Sequence, residues 1–178
     1  MDVAVITFGR CGSSNLIECL VNKGIKVLRK PYNHLYPHEL KNKLKTNGKV
    51  IFLFRDVQYI ITSIISKKNT NWIQDYYKNL HSDYKDFKDI TKRDTLNFKK
   101  LYDEHMYNSP YETLFLKYEN LYYGDKDTQE ALNSFLGRTI DVKYSKDNKW
   151  TSNYNSLVDI DRSNFEDFGS SYNFYLKK

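Results

Sequence analysis

Two short apolar runs constrain the fold of this chain most strongly. Val50 to Phe54 contains only large apolar residues, and Val3 to Ile6 is a similar run near the N-terminus. A strand that is apolar at every position is typical of a parallel sheet buried on both faces. Each run is followed by a loop and a predicted helix. This alternation predicts a three-layer, P-loop-like α/β domain with a mostly parallel sheet, formed by residues 1–178 as one unit.

Apolar spacing and punctuating residues predict the remaining elements. The predicted strands are Val3–Thr7, Ile25–Leu28, Val50–Phe54 and Leu114–Tyr118. The predicted helices are Asn15–Asn22, His38–Lys45, Gln58–Lys67 and Thr128–Leu136, with a largely helical region from Asn71 to Asn108. We expect Ser13 or Ser14 to cap the first helix and Asp56 to cap the third. Residues 138–178 have weak periodicity, which predicts an irregular C-terminal segment.

Charge and cysteine content narrow the function classes. The net charge of +6 favours an anionic partner such as a nucleotide, a nucleic acid or an acidic glycan, although a solvated basic surface would give the same balance. Two cysteines cannot form a disulfide framework, so a reducing compartment fits. The start of the chain has no signal-peptide pattern and no apolar stretch has membrane length. We therefore expect a cytoplasmic protein, in a bacterial or a virus-infected cell.

The segment Gly9 to Ser14 joins the first strand to the first helix and predicts an anion site. Backbone N–H groups and the helix dipole favour negative charge at a helix N-terminus. Arg10 adds a charged donor, and the two glycines allow close backbone approach. The pattern differs from the nucleoside-triphosphate P-loop, because only two residues separate Gly9 and Gly12 and no lysine follows. The alternative is a turn that needs glycine for its geometry alone.

Cys11 permits a competing hypothesis. A thiolate at a helix N-terminus can act as a nucleophile. The phosphatase pattern requires an arginine six positions later, but Ile17 stands there. We therefore interpret Cys11 as a small residue that lines the loop.

A second candidate site follows the strand Val50–Phe54. Arg55 and Asp56 lie at its end, and Ser63 lies eight residues after Arg55 on the next predicted helix. Since parallel strands end at one edge of a sheet, Arg55 would share that edge with the Gly9–Ser14 loop. Its forked guanidinium suits a second phosphate. The alternative is an Arg55–Asp56 pair and a surface serine.

These segments resemble those of sulfotransferases. Thr7 to Ser14 is similar to the 5′-phosphosulfate loop of the family. Lys49 to Asp56, together with Ser63, is similar to its 3′-phosphate segment, which has a hydrophobic strand, Arg-Asp, and a serine eight residues after the arginine.

A third segment strengthens the resemblance. Leu116 to Leu121 resembles the family's strand ending Tyr-Glu-Asp-Leu, and Phe135 to Gly137 resembles its later Phe-Leu-Gly. The three segments occur in the family's order and extend over most of the chain, with little resemblance between them. The chain is similar to a small viral or bacterial-type sulfotransferase.

The resemblance implies a donor and a set of residues that bind it. The donor would be 3′-phosphoadenosine 5′-phosphosulfate, which leaves as adenosine 3′,5′-bisphosphate, with no metal. The implied donor-binding residues are Arg10, Cys11, Gly12, Ser13, Ser14, Asn15, Arg55, Ser63 and Tyr118.

Within this set, the resemblance assigns separate roles. Arg10, Gly12, Ser13 and Ser14 would hold the 5′-phosphate and the bridging oxygen, and Arg10 would stabilise the charge that develops on the leaving phosphate. Arg55 and Ser63 would hold the 3′-phosphate. Tyr118 would lie near the adenine, or would be an aromatic core residue at a strand end.

The resemblance also implies a base that takes the acceptor's proton. Family members place a histidine or glutamate after the second or third strand. His34 follows the second predicted strand and is the catalytic base that we select, because a neutral imidazole suits the task near pH 7. His38 and Glu39 are the alternatives, and an ordinary loop histidine is the alternative role of His34.

The chain departs from the family pattern in three ways. Cys11 replaces the usual serine. Asn15 stands where an aromatic residue often packs on the adenine, which puts donor affinity in doubt. The chain is also short for the family, which would leave the acceptor site open or completed by another subunit.

The predicted acceptor is a carbohydrate or another small hydroxylated molecule. The helical region 70–108 is predicted on the acceptor side. Its aromatic residues could form a wall for a sugar ring or could pack between two helices; they are Trp72, Tyr76, Tyr77 and Tyr84.

Two other functions are compatible with the sequence. One is a nucleotide kinase or NTPase of similar topology, although Asp56 is the sole acidic candidate for a metal ligand after an apolar strand. The other is a non-catalytic module that binds an anion. Nucleic acid is not favoured as the anion, because the lysines and aromatic residues follow no groove-like pattern.

Overall fold

A mostly parallel five-stranded sheet forms the centre of the protein. The computed structural model describes residues 1–28, 35–66, 89–142, 157–165 and 174–178. Its strands are β1 (Asp2–Thr7), β2 (Lys26–Leu28), β3 (Lys49–Phe54), β4 (Thr113–Lys117) and β5 (Phe174–Lys177), in the order β2-β1-β3-β4-β5. The first four strands are parallel, and β5 runs antiparallel to β4. The prediction of a mostly parallel sheet is confirmed.

Helices flank this sheet, as the alternating pattern predicts. They are α1 (Ser13–Asn22), α2 (Pro37–Leu40), α3 (Val57–Ser66), α4 (Phe98–Asp103), α5 (Tyr118–Tyr122) and α6 (Lys126–Leu136). A π-helix (Glu104–Asn108) continues α4, and a 3-10 helix spans Arg162–Asn164. No helix within the described ranges is both long and apolar enough to span a bilayer.

The core lies where β1 and β3 run through the middle of the sheet. All six residues of β1 and the last five of β3 are buried, which explains their continuous apolar character. Four fully buried phenylalanines pack together: the ring of Phe52 lies 5.3 Å from both Phe8 and Phe115, and Phe8 lies 4.9 Å from Phe98. These contacts connect the central strands to α4, which lies in the predicted helical region.

The cap of α1 differs from the prediction. Gly12 is the N-cap residue, with φ 72° and no side-chain cap, so neither Ser13 nor Ser14 caps the helix. A cap residue needs a non-helical backbone conformation, and glycine adopts the left-handed one without steric cost. The helix therefore begins two residues earlier than predicted. The predicted cap of α3 is confirmed, since Asp56 Oδ1 accepts the Gln58 N–H at 2.9 Å.

Two other helix boundaries also differ. The predicted helix His38–Lys45 ends at Leu40, because Lys41, Asn42 and Lys43 are exposed and offer no apolar face that packing could stabilise. The last helix begins at Lys126 rather than Thr128, since Asp125 caps it by accepting the Thr128 N–H at 2.9 Å.

The strand predicted to end at Tyr118 ends one residue earlier. Tyr118 instead begins α5, which extends through Tyr122. The chain therefore turns directly from β4 into a helix, and Tyr118 enters the loop region at the sheet edge rather than continuing the strand.

The C-terminal segment is not wholly irregular. Phe174–Lys177 forms β5, and it pairs with β4 through a register that joins Phe115 to Tyr175. Tyr175 and Leu176 are 43% and 38% exposed, so neither face of the strand carries a clear apolar pattern. The strand is defined by hydrogen bonding to β4, a contact distant in sequence that periodicity does not detect.

Candidate anion-binding site

The carboxyl ends of β1, β3 and β4 meet at one edge of the sheet. Thr7 is in register with Leu53, and Phe54 is in register with Lys117. The loop after Thr7, Arg55 after β3 and Tyr118 after β4 therefore emerge side by side. This edge is where open α/β sheets bind ligands. The structure confirms that the first two predicted segments share it.

The backbone of the loop is unusual at three positions. Gly9 (φ 78°), Arg10 (φ 56°) and Gly12 (φ 72°) all adopt left-handed conformations. For a non-glycine residue such as Arg10 this costs on the order of 1 kcal/mol. The Gly9 N–H donates to Thr7 Oγ1 at 2.6 Å, which anchors the start of the loop to the strand. The fold thus holds Arg10 in a strained position.

Gly12 is held against α5. A Cβ atom added there would lie 2.6 Å from Cε2 of Tyr118, and the Tyr122 hydroxyl donates to the Gly12 carbonyl at 2.8 Å. The missing side chain of Gly12 therefore admits a tyrosine ring. This packing is a reason for glycine besides the predicted close approach of a phosphate, which stays a prediction.

Arg10 and Ser63 connect the two predicted segments. Arg10 Nε donates to Ser63 Oγ at 2.7 Å, across 53 residues of sequence. Ser63 is buried on α3, so it is not a surface serine. The Ser63 hydroxyl of the second segment therefore fixes the Arg10 side chain of the first segment.

Arg55 is buried between aromatic rings. The residue is 4% exposed, and its guanidinium carbon lies 4.2 Å from the ring centroid of Tyr118 and 4.8 Å from that of Tyr59. Its Nε lies 3.4 Å from Oε1 of Glu119. Asp56 is not its partner, since that carboxylate pairs with Arg162 at 3.2 Å.

Glu119 is the partly buried acid of this site. Its side chain is 21% exposed, but both carboxylate oxygens are buried, and neither forms a close hydrogen bond with Arg55 Nε. Burial raises the pKa of Glu119, and the backbone amides of Glu119 and Asp56, together with the charges of Arg55 and Lys117, lower it by less. The carboxylate therefore keeps only part of the stabilisation that a buried charge requires.

Cys11 is fully buried beneath the loop. Its thiol donates to the Gly9 carbonyl at 3.1 Å. Burial is the main cause that raises the pKa of Cys11 to about 12, so at neutral pH the side chain is a thiol and not a thiolate. This agrees with its interpretation as a loop-lining residue and argues against a cysteine nucleophile.

The first turn of α1 carries the other predicted donor-binding residues. Ser13 is buried, whereas Ser14 and Asn15 are exposed. Asn15 Oδ1 accepts from the Cys19 thiol at 3.5 Å, which directs that amide along the helix.

The catalytic base is not located by these contacts. His34 and the aromatic residues Trp72, Tyr76, Tyr77 and Tyr84 lie outside the described residues. His38 is exposed, with its ring 5.9 Å from that of Tyr36. Glu39 accepts the Tyr36 N–H at 2.7 Å as part of a capping box, so this carboxylate has a structural role.

Three residues of the site were missed by the sequence analysis. Tyr59 and Glu119 surround Arg55, and Tyr122 holds the loop. Tyr118 and Tyr122 are four residues apart, a spacing that puts both on one helix face and could have indicated their shared contact with the loop. The partner of Arg55 required knowledge that β3 and β4 are neighbours.

The side chains of this edge include several groups that can bind an anion. Two arginines and the N-terminus of α1 supply positive charge and N–H donors, and Ser63 supplies a hydroxyl. Within the part of the chain that the structure describes, no group of three or more His, Cys, Asp or Glu residues could hold a metal ion.

Comparisons with known proteins do not place this chain in a family: no protein-family model matches it, and neither does any curated protein. Because a fold alone does not determine function, the chemistry of the site is the basis for proposing one.

Proposed function

We propose that this protein is a sulfotransferase with a P-loop-like nucleotide site. It moves a sulfuryl group from 3′-phosphoadenosine 5′-phosphosulfate to a hydroxyl or an amine of a carbohydrate or small molecule. The observation that carries this proposal is the 2.7 Å bond between Arg10 and Ser63. It joins two segments that resemble separate phosphate sites of the family, and the third segment packs against the same loop through Tyr118.

Each phosphate has candidate ligands in this proposal. Arg10, Ser14 and the N-terminus of α1 hold the 5′-phosphate, where a helix dipole favours negative charge. Arg55 and Ser63 hold the 3′-phosphate. Because Ser63 bonds to Arg10, the two phosphate sites are coupled through one side-chain contact.

The chemistry is an in-line transfer. An acceptor oxygen forms a bond to sulfur as the bond from sulfur to the bridging oxygen breaks, and the bisphosphate leaves with that oxygen. The acceptor's proton goes to a base, for which His34 stays our prediction and His38 and Glu39 the alternatives. Arg10 stabilises the charge that develops on the leaving phosphate.

Tyr118 has a structural role in this proposal besides the predicted one. Its ring is buried against Gly12 and Arg55. It therefore orients the arginine that holds the 3′-phosphate, and its contact with the adenine stays a prediction.

The first test is a thermal shift with adenosine 3′,5′-bisphosphate and, separately, with ATP and Mg²⁺. A ligand at a hundred times its dissociation constant stabilises by about 2.7 kcal/mol. For a chain of this length we expect the bisphosphate to raise the melting temperature by roughly 5–10 °C. Ser63→Ala should reduce this rise because it removes the partner of Arg10. Ser163→Ala, on an exposed 3-10 helix, is the matched control.

Other outcomes favour other functions. A rise with ATP and Mg²⁺ alone supports a kinase or NTPase. No rise with either nucleotide leaves the non-catalytic anion-binding module as the better account. If the bisphosphate binds, transfer of labelled sulfate to hydroxylated glycans tests the activity itself.

A further inference from the structure

Glu119, the acid beside Arg55, has none of the roles proposed so far. Its Oε1 lies 3.4 Å from Arg55 Nε, and the rings of Tyr118 and Tyr59 pack against the guanidinium. Three side chains therefore hold the arginine. Its terminal Nη groups are the part through which it could donate to a phosphate.

We infer that Glu119 is the counter-ion of Arg55 in the empty site, and that it takes up a proton when a phosphate dianion binds there. The inference deepens the proposed function and rests on it for the identity of the nucleotide. The role of Glu119 rests on its contact with Arg55.

The contacts show why two anions cannot share Arg55 at low cost. The Glu119 oxygens and Arg55 Nε are buried, and they face each other at 3.4 Å without a close hydrogen bond. The attraction to the guanidinium and the neighbouring backbone amides must together offset the water that the carboxylate has lost. A phosphate dianion that approaches the same guanidinium would weaken this attraction and repel the carboxylate. Protonation of Glu119 removes the repulsion.

Several charged or titratable groups act on Glu119 from the surrounding elements. Arg55, at the end of β3, and Lys117, at the end of β4, are the cations. Cys11 below the loop and Tyr123 after α5 also interact with it, and both are neutral at pH 7. The backbone amides of Asp56 and Glu119 face the carboxylate. Burial outweighs these effects and raises the pKa of Glu119, which favours proton uptake by this carboxylate.

The test is isothermal titration calorimetry of adenosine 3′,5′-bisphosphate with the wild-type protein and Glu119→Gln. The substitution keeps the shape of the side chain and removes its charge. We expect Glu119→Gln to bind the bisphosphate about 3- to 30-fold more tightly at pH 7.5. The two affinities should converge as the pH falls, because the wild-type carboxyl then takes up a proton before binding. Glu130→Gln, at an exposed position of α6, is the matched control and should behave as the wild type.

Titrations in two buffers of different ionisation enthalpy give the number of protons taken up on binding. The wild type should take up more protons than Glu119→Gln. The bisphosphate's own titration, near pH 6, is common to both proteins and cancels in the difference. At about pH 8, well above the bisphosphate's own titration, proton uptake by the wild type reports on the protein alone, so it stays informative if Glu119→Gln folds poorly.

Failure of this inference can be distinguished from failure of the proposed function. Tight bisphosphate binding with equal affinity and equal proton uptake in both proteins overturns the role of Glu119 and leaves the function standing. If the bisphosphate does not bind, inorganic phosphate is the second probe. Phosphate binding that Glu119→Gln strengthens supports the counter-ion without the nucleotide. No binding of phosphate to either protein overturns both.

Discussion

Gly12 illustrates how one residue determines the shape of the anion-binding loop. It has a left-handed backbone, it ends the loop as the N-cap of α1, and its missing side chain leaves room for Tyr118. The loop therefore depends on glycine for two separate reasons, conformation and packing. A second glycine, Gly124, shares the first reason alone, since it has φ 82° and no atom within 4 Å of an added Cβ.

This pair of glycines gives a matched prediction. Gly124→Ala should cost about 1–2 kcal/mol of unfolding free energy, the cost of the left-handed backbone. Gly12→Ala should cost about 1–3 kcal/mol more, because its Cβ would lie 2.6 Å from the Tyr118 ring. Urea denaturation of the two variants measures the difference. Equal losses would show that Tyr118 moves away freely and that the packing argument is wrong.

The two cysteines should differ in reactivity. Cys11 is fully buried with a pKa of about 12, whereas Cys19 is partly exposed on α1. In the native protein at pH 7.5 we expect a disulfide reagent to label one thiol quickly and the second thiol after denaturation. Cys19→Ser should abolish the fast reaction. A fast reaction that persists in Cys19→Ser would make Cys11 an accessible thiolate and would revive the nucleophile hypothesis.

At the scale of elements, the π-helix connects α4 to the chain that follows β2. His105 in this helix is fully buried, its Nε2 lies 2.9 Å from the Leu35 carbonyl, and its ring lies 5.3 Å from Phe52. Lys177 of β5 donates to the carbonyls of Ser109 and His105. These contacts join α4 and the π-helix to β5 and to the start of α2.

Burial of His105 predicts a pH dependence of stability. Burial lowers the pKa of His105 from 6.5 to about 4, so the folded state favours the neutral imidazole. Stability contributed by this group is fully present above pH 6.5 and is lost as the pH falls toward 4, by up to about 3 kcal/mol. We expect His105→Gln, which keeps a donor for Leu35, to have a flatter profile in urea unfolding between pH 7 and pH 4. The exposed His38→Gln is the control. An unchanged slope in His105→Gln would contradict the assignment.

The sequence predicted the strands that are apolar because they are buried. It did not predict the strand that is defined by its hydrogen bonds to a neighbour distant in sequence. Val50 to Phe54 is apolar because β3 is covered on both faces, so composition alone identifies it. β5 has mixed exposure and is defined by hydrogen bonds to β4, whose paired residues lie 58 to 64 positions earlier in the sequence. Gly12, rather than Ser13 or Ser14, is the N-cap of α1, because its left-handed backbone has the non-helical conformation that a cap residue needs.

At the scale of the whole molecule, the site is a product of strand order. β3 lies between β1 and β4, so Arg55 lies between the loop that follows β1 and Tyr118, which follows β4. The sequence predicts that the first two segments share an edge, but it does not contain the register that pairs Phe54 with Lys117. For this reason Arg55 and Ser63 could be predicted, whereas Glu119 and Tyr59 could not.

The central claim is that this edge binds a nucleotide with two separate phosphates. The most direct measurement is calorimetry of adenosine 3′,5′-bisphosphate and adenosine 5′-monophosphate with the wild type, Arg55→Lys and the exposed control Arg93→Lys. A charge-assisted contact contributes about 1.5–3 kcal/mol, so the wild type and the control should prefer the bisphosphate by about tenfold or more. Arg55→Lys should lose most of this preference, because lysine lacks the planar fork that Tyr118 and Tyr59 hold. Equal affinity of the wild type for the two nucleotides would contradict the account.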